Sequence, residues 1–444
     1  MRRKWPWVLA LIVVAGTLVA IQHVWPLPDH VAARVDSEEI TVEALDVFVA
    51  AARRRQEDAD RESVLKGLLE NRLLADADMP KAEQETPSRV GYDRNTRLEQ
   101  QLFRLIRSAY TEPLNRAMRD SGAIDSLAFL TAPMALDRNL LAPMLLLDQK
   151  LYSTMTQQQK DAAQQFVLAR YRFRGSQEEQ ALTLWDLYRR QNMQLKVQMH
   201  SLNLDFIREA VKQQLTTAFV LDWFEHSSGL SDESRQIVRR CVEDALLREA
   251  RLQEMGLLQD IHDDNPQLRA LADRVTADEV AAYYLAHREE FTRVEKVHAY
   301  HIRLDSQKEA DKVYAEIAAG LPFADAVERY SRAGDRNHGG ALGWIDRHGR
   351  QDHWSRALAF VQPPNRVSRP FRSPQTSDIV YWEILLVDAR ETGYQPVESE
   401  SVRYRASNAI ARQKLQERFH KLLEGRRKVA AIRINRRQIQ CESC

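Results

Sequence analysis

Three features of this chain have residue types and spacings that bear on chemistry: the loop Gly339-Gly340-Ala341-Leu342-Gly343, the histidines His298 and His301, and the cysteines Cys241, Cys441 and Cys444. A phosphate-cradling loop needs a buried strand before it and a helix opened by Lys-Ser/Thr after it. This loop follows the helix-like run PFADAVERYS, and no lysine lies between Tyr330 and Arg347. The nucleotide reading is therefore weak. In the run VEKVHAYHIRL the period is two, so Ala299, His301 and Arg303 share one strand face while Tyr300, Ile302 and Leu304 share the other. His298 falls on the face opposite His301, which argues against a metal pair. Cys241 reads as a small buried apolar residue within IVRRCVEDALLREA. The terminal CESC has redox-motif spacing without a strand-helix context, and is read as a frayed tail.

The elements that must position such residues follow from the bulk of the chain. At 444 residues it exceeds one compact core, so two or three domains are expected. Sixty-four Lys and Arg against 63 Asp and Glu leave a formal charge of +1, which gives no reason to expect nucleic acid as a partner. No metal or cofactor is called for. Arg2, Arg3 and Lys4 precede an apolar run from Trp7 to Trp25, whose 19 residues would span about 28 Å as a helix. Tryptophans at both ends and basic residues before it fit an uncleaved signal anchor. Ala15 and Thr17, the best cleavage pair, lie inside the run. The expectation is a single-pass inner-membrane protein with a cytoplasmic N-terminus and the bulk of the chain in the periplasm.

After this segment, VAARVDSEEIT reads as strand and turn leading into a helix capped at Thr41. Val64–Ala77 and Ile237–Ala250 match at an offset of 173, sharing Glu70/Glu243, Leu73/Leu246, Leu74/Leu247 and Ala77/Ala250, a moderate sign of a duplicated helical module. From about 95 to 225 the pattern stays helical, including QQQKDAAQQFVLARYRF, until HSSGLSDES breaks it. Thr276-Ala277-Asp278-Glu279 is a capping box. Residues 294–390 then read as a β-α-α-β-α-β-like unit, with Ala310, Val313, Tyr314 and Ile317 on one helix face. One long helix and a short strand follow. The fold class is α+β.

This order of pieces resembles the parvulin family of peptidyl-prolyl cis-trans isomerases. The resemblance rests on EVAAYYLAHREEF, His301-Ile302, GLPFADAVERYS, GGALGW and VSRPF, and covers about a hundred residues. The helical modules look like those of the SurA- and PpiD-like periplasmic folding factors, on the strand-turn-helix VAARVDSEEIT and the helix carrying LLENRLL. The resemblance implies a helical chaperone region at 29–290, an isomerase domain with an antiparallel sheet at 291–392, and a helix and strand at 393–444 completing the chaperone region, all preceded by a transmembrane tip at 1–28.

It also implies roles. The loop's glycines let the backbone turn into a central strand, and Leu342 lines the proline pocket. His301 stands at the family's first strand histidine, Trp354 at the aromatic floor and Ser373 at a hydroxyl residue. Three positions depart from the pattern. Ala333 stands for a Cys or Asp, Arg350 for an apolar residue beside the pocket, and Glu383 for a second histidine. Glu383 shares its strand face with Tyr381, Leu385 and Val387 and can still meet His301; it is expected to be an active-face carboxylate and not a buried one, because an unpartnered buried charge is costly. The function expected is prolyl isomerisation, weakened by these losses, on unfolded or newly exported polypeptides. The competing expectation is a non-catalytic holdase or assembly scaffold that retains a degenerate parvulin fold.

Overall fold

A computed structural model of the chain describes residues 26–75, 92–147, 154–174, 176–258, 265–349, 354–374 and 379–440. They form two compact units: the described residues of Met1–Gln267 and Lys414–Cys444, and Leu268–Gln413.

In the first unit, β1 (Val31–Val35) turns at Asp36, whose positive φ suits a short polar side chain, into β2 (Glu38–Thr41). The Thr41 hydroxyl then accepts from the Ala44 amide, capping α1 (Val42–Arg53). The C-terminal strand Ile432–Ile434 pairs antiparallel with β1. Helices α2 (Arg61–Ala75), α3 (Arg94–Ala109), α4 (Leu204–Ser227) and α5 (Asp232–Glu254) supply Leu65, Leu74, Ile106, Leu215, Phe224 and Val238 to a continuous core. The described residues of the two segments matched at an offset of 173 lie on α2 and α5, which Arg72 and the buried Asp244 link at 2.9 Å. Cys241, on α5, is buried as expected, and burial pushes its thiol up to about 12.

The helical reading of QQQKDAAQQFVLARYRF is corrected in its second half. The helix stops at Gln165, and β3 (Val167–Tyr171) pairs antiparallel with β4 (Gln180–Thr183). Leu168, Ala169 and Tyr171 are buried there, and this packing overrides the helical periodicity of the preceding residues. The expected single-pass inner-membrane location is also corrected: no helix among the described residues is long and apolar enough to cross a membrane. The run Trp7–Trp25 lies outside the described residues, as do Cys441 and Cys444.

In the second unit, the Thr276 capping box opens α6 (Ala277–Ala286) as expected. A four-stranded antiparallel sheet follows, made of β5 (Thr292–Leu304), β6 (Ala341–Asp346), β7 (Phe371–Arg372) and β8 (Trp382–Tyr394) in the order β6-β5-β8-β7. The strand after the glycine loop, β6, is therefore an edge strand and not a central one. Helices α7 (Gln307–Ala318) and α8 (Phe323–Tyr330) cover one sheet face, where Ala310, Val313, Ala326 and Val327 pack on Ile302, Leu304 and Ile384. Helix α9 (Trp354–Ala359) covers the other face, where Ala359 and Phe360 pack on Val297, Ala299, Leu385 and Val387. Strand alternation places His301, Arg303 and Glu383 on the α9 face.

Candidate active site

The site is built where β5 and β8 run side by side. Arg303 pairs with Glu383 and His301 with Leu385 in the antiparallel register. Glu383 is 1% exposed and His301 4%. Such burial is tolerable only because the charges meet. His301 Nδ1 lies 2.9 Å from Glu383 Oε1, and the same oxygen accepts from Arg303 Nε at 3.0 Å and Nη2 at 2.9 Å. Arg303 also stacks on the Tyr381 ring, 4.2 Å from its centroid. The other imidazole nitrogen, Nε2, meets Asp335 Oδ2 at 2.9 Å and Oδ1 at 3.2 Å.

Burial works against the charged imidazole, but the hydrogen bond and charge of Glu383, joined by Asp335, outweigh it and raise the His301 pKa above 6.5. Burial likewise opposes the Glu383 carboxylate, and His301 and Arg303 outweigh it, holding its pKa below 4.5. Both ring nitrogens face carboxylate oxygens, an arrangement that favours an imidazolium donating from each.

The glycine loop fixes Asp335 opposite His301. Gly340 has φ +66°, its carbonyl accepts from the His301 amide at 2.8 Å, and a Cβ on it would lie 2.3 Å from the His301 carbonyl oxygen. Only glycine fits that approach. The Gly340 amide in turn donates to the Asp335 carbonyl at 3.0 Å, closing the turn over Arg336–His338. On the far side, the buried Ser331 hydroxyl accepts from the amides of Arg303 and Ala333, and the Arg332 amide donates to the Arg303 carbonyl at 2.7 Å. The loop is thus stitched to β5 at both ends, and its glycines serve backbone approach and not phosphate.

A cleft of about 210 Å³ opens above this cluster. His301, Arg303, Ala333, Gly334, Asp335, Ala341, Leu342 and Arg356 line it. Its size suits one side chain of a peptide and falls below the roughly 300–1,000 Å³ of sites that engulf small molecules. Of the residues expected at the site, His301, Leu342 and Ala333 line the cleft, while Glu383 is buried and bonds His301 from below. The expectation of an active-face carboxylate at Glu383 is corrected accordingly, since His301 and Arg303 supply the partners that make its burial possible. Trp354 is not among the lining residues and is 46% exposed at the start of α9. Ser373 is buried, but its hydroxyl accepts from the Tyr381 amide at 3.2 Å and ties β7 to β8 outside the cleft. Arg350 lies outside the described residues.

The sequence reading missed Asp335, Arg303 and Arg356. It assigned the family's loop acid to Ala333, whereas the turn places Asp335, two residues on, against His301. The signal was an acidic residue five positions before the glycine whose carbonyl receives the His301 amide.

Residues 292–383 match the family model of the PPIC-type peptidyl-prolyl isomerase domain, also called rotamase. The chain carries a parvulin-type isomerase domain. Relatives include the chaperone SurA of Chromobacterium violaceum, 27% identical over 135 residues that cover 28% of this chain and 30% of that protein. The foldase protein PrsA of Clostridium acetobutylicum is 34% identical over 99 residues, covering 22% and 30% respectively. The matched stretches thus span under a third of these relatives' lengths. Among solved structures, one of the SurA-like chaperones PEB4 and Cj1289 of Campylobacter jejuni aligns over 49% of this chain and 79% of its own, at 17% identity and a TM-score of 0.20.

Proposed function

We propose that the chain is a folding factor whose parvulin domain catalyses prolyl cis-trans isomerisation in unfolded or newly exported polypeptides, with the helical unit holding the client. The observation that carries this reading is the buried Glu383–His301–Asp335 array at the floor of a cleft beside Leu342. Rotation about an X-Pro amide meets a barrier of about 18–20 kcal/mol, because twisting breaks conjugation. Nothing need be transferred to a leaving group. The catalyst has to bind the twisted amide better than the planar one, which it does by shape and by polar groups oriented before the substrate arrives.

Here both imidazole nitrogens are engaged, so His301 acts through its neighbours: it holds Asp335 at the cleft wall, and Glu383 holds His301. The expected loss of the loop acid at Ala333 is made good by Asp335, which removes the main reason to expect a weak catalyst. Leu342 supplies the apolar contact for the proline ring. Exchange spectroscopy on an Ala-Pro peptide with the purified chain tests the reading. Catalysed exchange that a Leu342→Glu change abolishes supports it. Exchange at the spontaneous rate in the unmodified protein would leave the holdase alternative. An aggregation assay with the Leu342→Glu protein separates the two roles, since client holding by the helical unit persists when the cleft is blocked.

A further inference from the structure

The charges around the cleft do not balance in pairs. Glu383 takes His301 and Arg303 on one oxygen, and Asp335 takes the other nitrogen of His301. Two cations and two anions are thereby matched. Arg356 is the surplus. It projects from α9 into the lining of the same cleft, and its one hydrogen bond among the described residues is a long 3.4 Å contact to the carbonyl oxygen of Leu342, the residue assigned to the proline ring. No carboxylate lies within ion-pair distance of it among the described residues, although it is only partly exposed. A guanidinium is a planar fork matched to a carboxylate. Placed at the wall of the cleft with no ion-pair partner among the described residues, it favours an anionic side chain on the substrate and repels a cationic one.

We infer that Arg356 is a specificity-determining residue, and that the cleft selects prolines flanked by a glutamate or aspartate over prolines flanked by a lysine or arginine. The inference rests on the isomerase reading for its catalytic readout, though binding alone would reveal it. The carboxylate of the bound residue would reach the Arg356 guanidinium while the proline ring lies on Leu342. Because Asp335 stands across the same cleft, a basic flanking residue has an anion to approach only by competing with His301, which already occupies both oxygens.

The test uses the full chain and a series of short peptides carrying Glu, Ala or Lys immediately before or after proline. Isomerisation is read by exchange spectroscopy and binding by titration of fluorescently labelled peptide. The expected order is Glu above Ala above Lys at one flanking position, with a Glu-to-Lys ratio of about tenfold at low salt that shrinks as salt is added. Arg356→Gln should bring that ratio toward one, and Arg356→Glu should invert it. Because each ratio is taken within one protein, a partial folding defect cancels. Isomerisation with equal rates for all three residues at both positions overturns the inference and leaves the isomerase reading intact. Peptides that bind with the Glu preference and are not isomerised overturn the isomerase reading and uphold the cleft's selectivity. No binding and no isomerisation of any peptide would overturn both.

Discussion

Each unit of this protein buries a histidine, and the two are held in opposite ways. In the helical unit, the described hydrogen-bond partners of His200 are neutral groups: its Nδ1 meets the Leu145 carbonyl oxygen at 2.7 Å and its Nε2 the Tyr188 hydroxyl at 3.1 Å. In the parvulin unit, His301 lies between two carboxylates, one of them almost wholly buried with no hydrogen-bond partner for its Oε2 among the described residues. The first arrangement satisfies a polar group that the core has enclosed. The second concentrates charge where a hydrophobic packing of the same strands would cost less, and such concentrations belong to sites more often than to scaffolds. The comparison teaches that burial alone does not mark a functional histidine; the charge of its partners does.

The largest effect is expected where that contrast is removed. Glu383→Leu leaves the buried His301 and the partly buried Arg303 without their shared anion, and should destabilise the parvulin unit by about 3–5 kcal/mol in denaturant unfolding. A change of under about 1 kcal/mol would mean the array is incidental to the fold. Gly340→Ala comes next. Its Cβ would meet the His301 carbonyl oxygen in addition to sitting at positive φ, so a loss of about 2–3 kcal/mol is expected. Gly339→Ala, at φ +70° with open space around its Cβ, should lose about 1–2 kcal/mol. Equal losses at the two positions would contradict the close approach assigned to Gly340.

A smaller effect is expected from pH, and its sign follows from the partners. His301 has a raised folded-state pKa, so its contribution is full below 6.5 and is lost as pH rises through that raised value. Glu383 has a lowered one, so its contribution is full above 4.5 and is lost as pH falls through the lowered value. Their stabilising effects overlap most fully between pH 4.5 and 6.5. A pH series of unfolding midpoints should show that maximum in the unmodified protein, and His301→Gln should flatten its alkaline side. If the substitution leaves the alkaline limb unchanged, the imidazolium assignment is wrong.

Much of the scaffold for this contrast was legible in the sequence because it is written in short-range rules. The period of two placed His301 and Arg303 on one face, the Thr276 box opened its helix, and the spacing of Ala310, Val313, Tyr314 and Ile317 gave the face of α7 that packs on the sheet. The failures lie where geometry depends on tertiary partners. Asp335 was passed over for Ala333 because two left-handed glycines and a short 3-10 turn determine which loop residue returns to β5, and motif counting does not follow such a turn. Trp354 stands where the resemblance puts the aromatic floor of the pocket, yet it begins a short helix and remains half exposed. The strand at Val167 was hidden because its partner, Gln180–Thr183, lies beyond the window in which periodicity is read.

The central claim is that a carboxylate–imidazolium–carboxylate array organises the parvulin cleft for isomerisation through Asp335. The most direct test is the rate of cis-trans exchange of an Ala-Pro peptide, measured by exchange spectroscopy, with the unmodified chain and with Asp335→Asn. The substitution keeps the side chain's shape and removes the charge that faces both His301 and the cleft, so a fall of about a hundredfold in catalysed rate is predicted, with the fold retained. An Asp335→Asn protein that exchanges the peptide as fast as the unmodified chain would contradict the account.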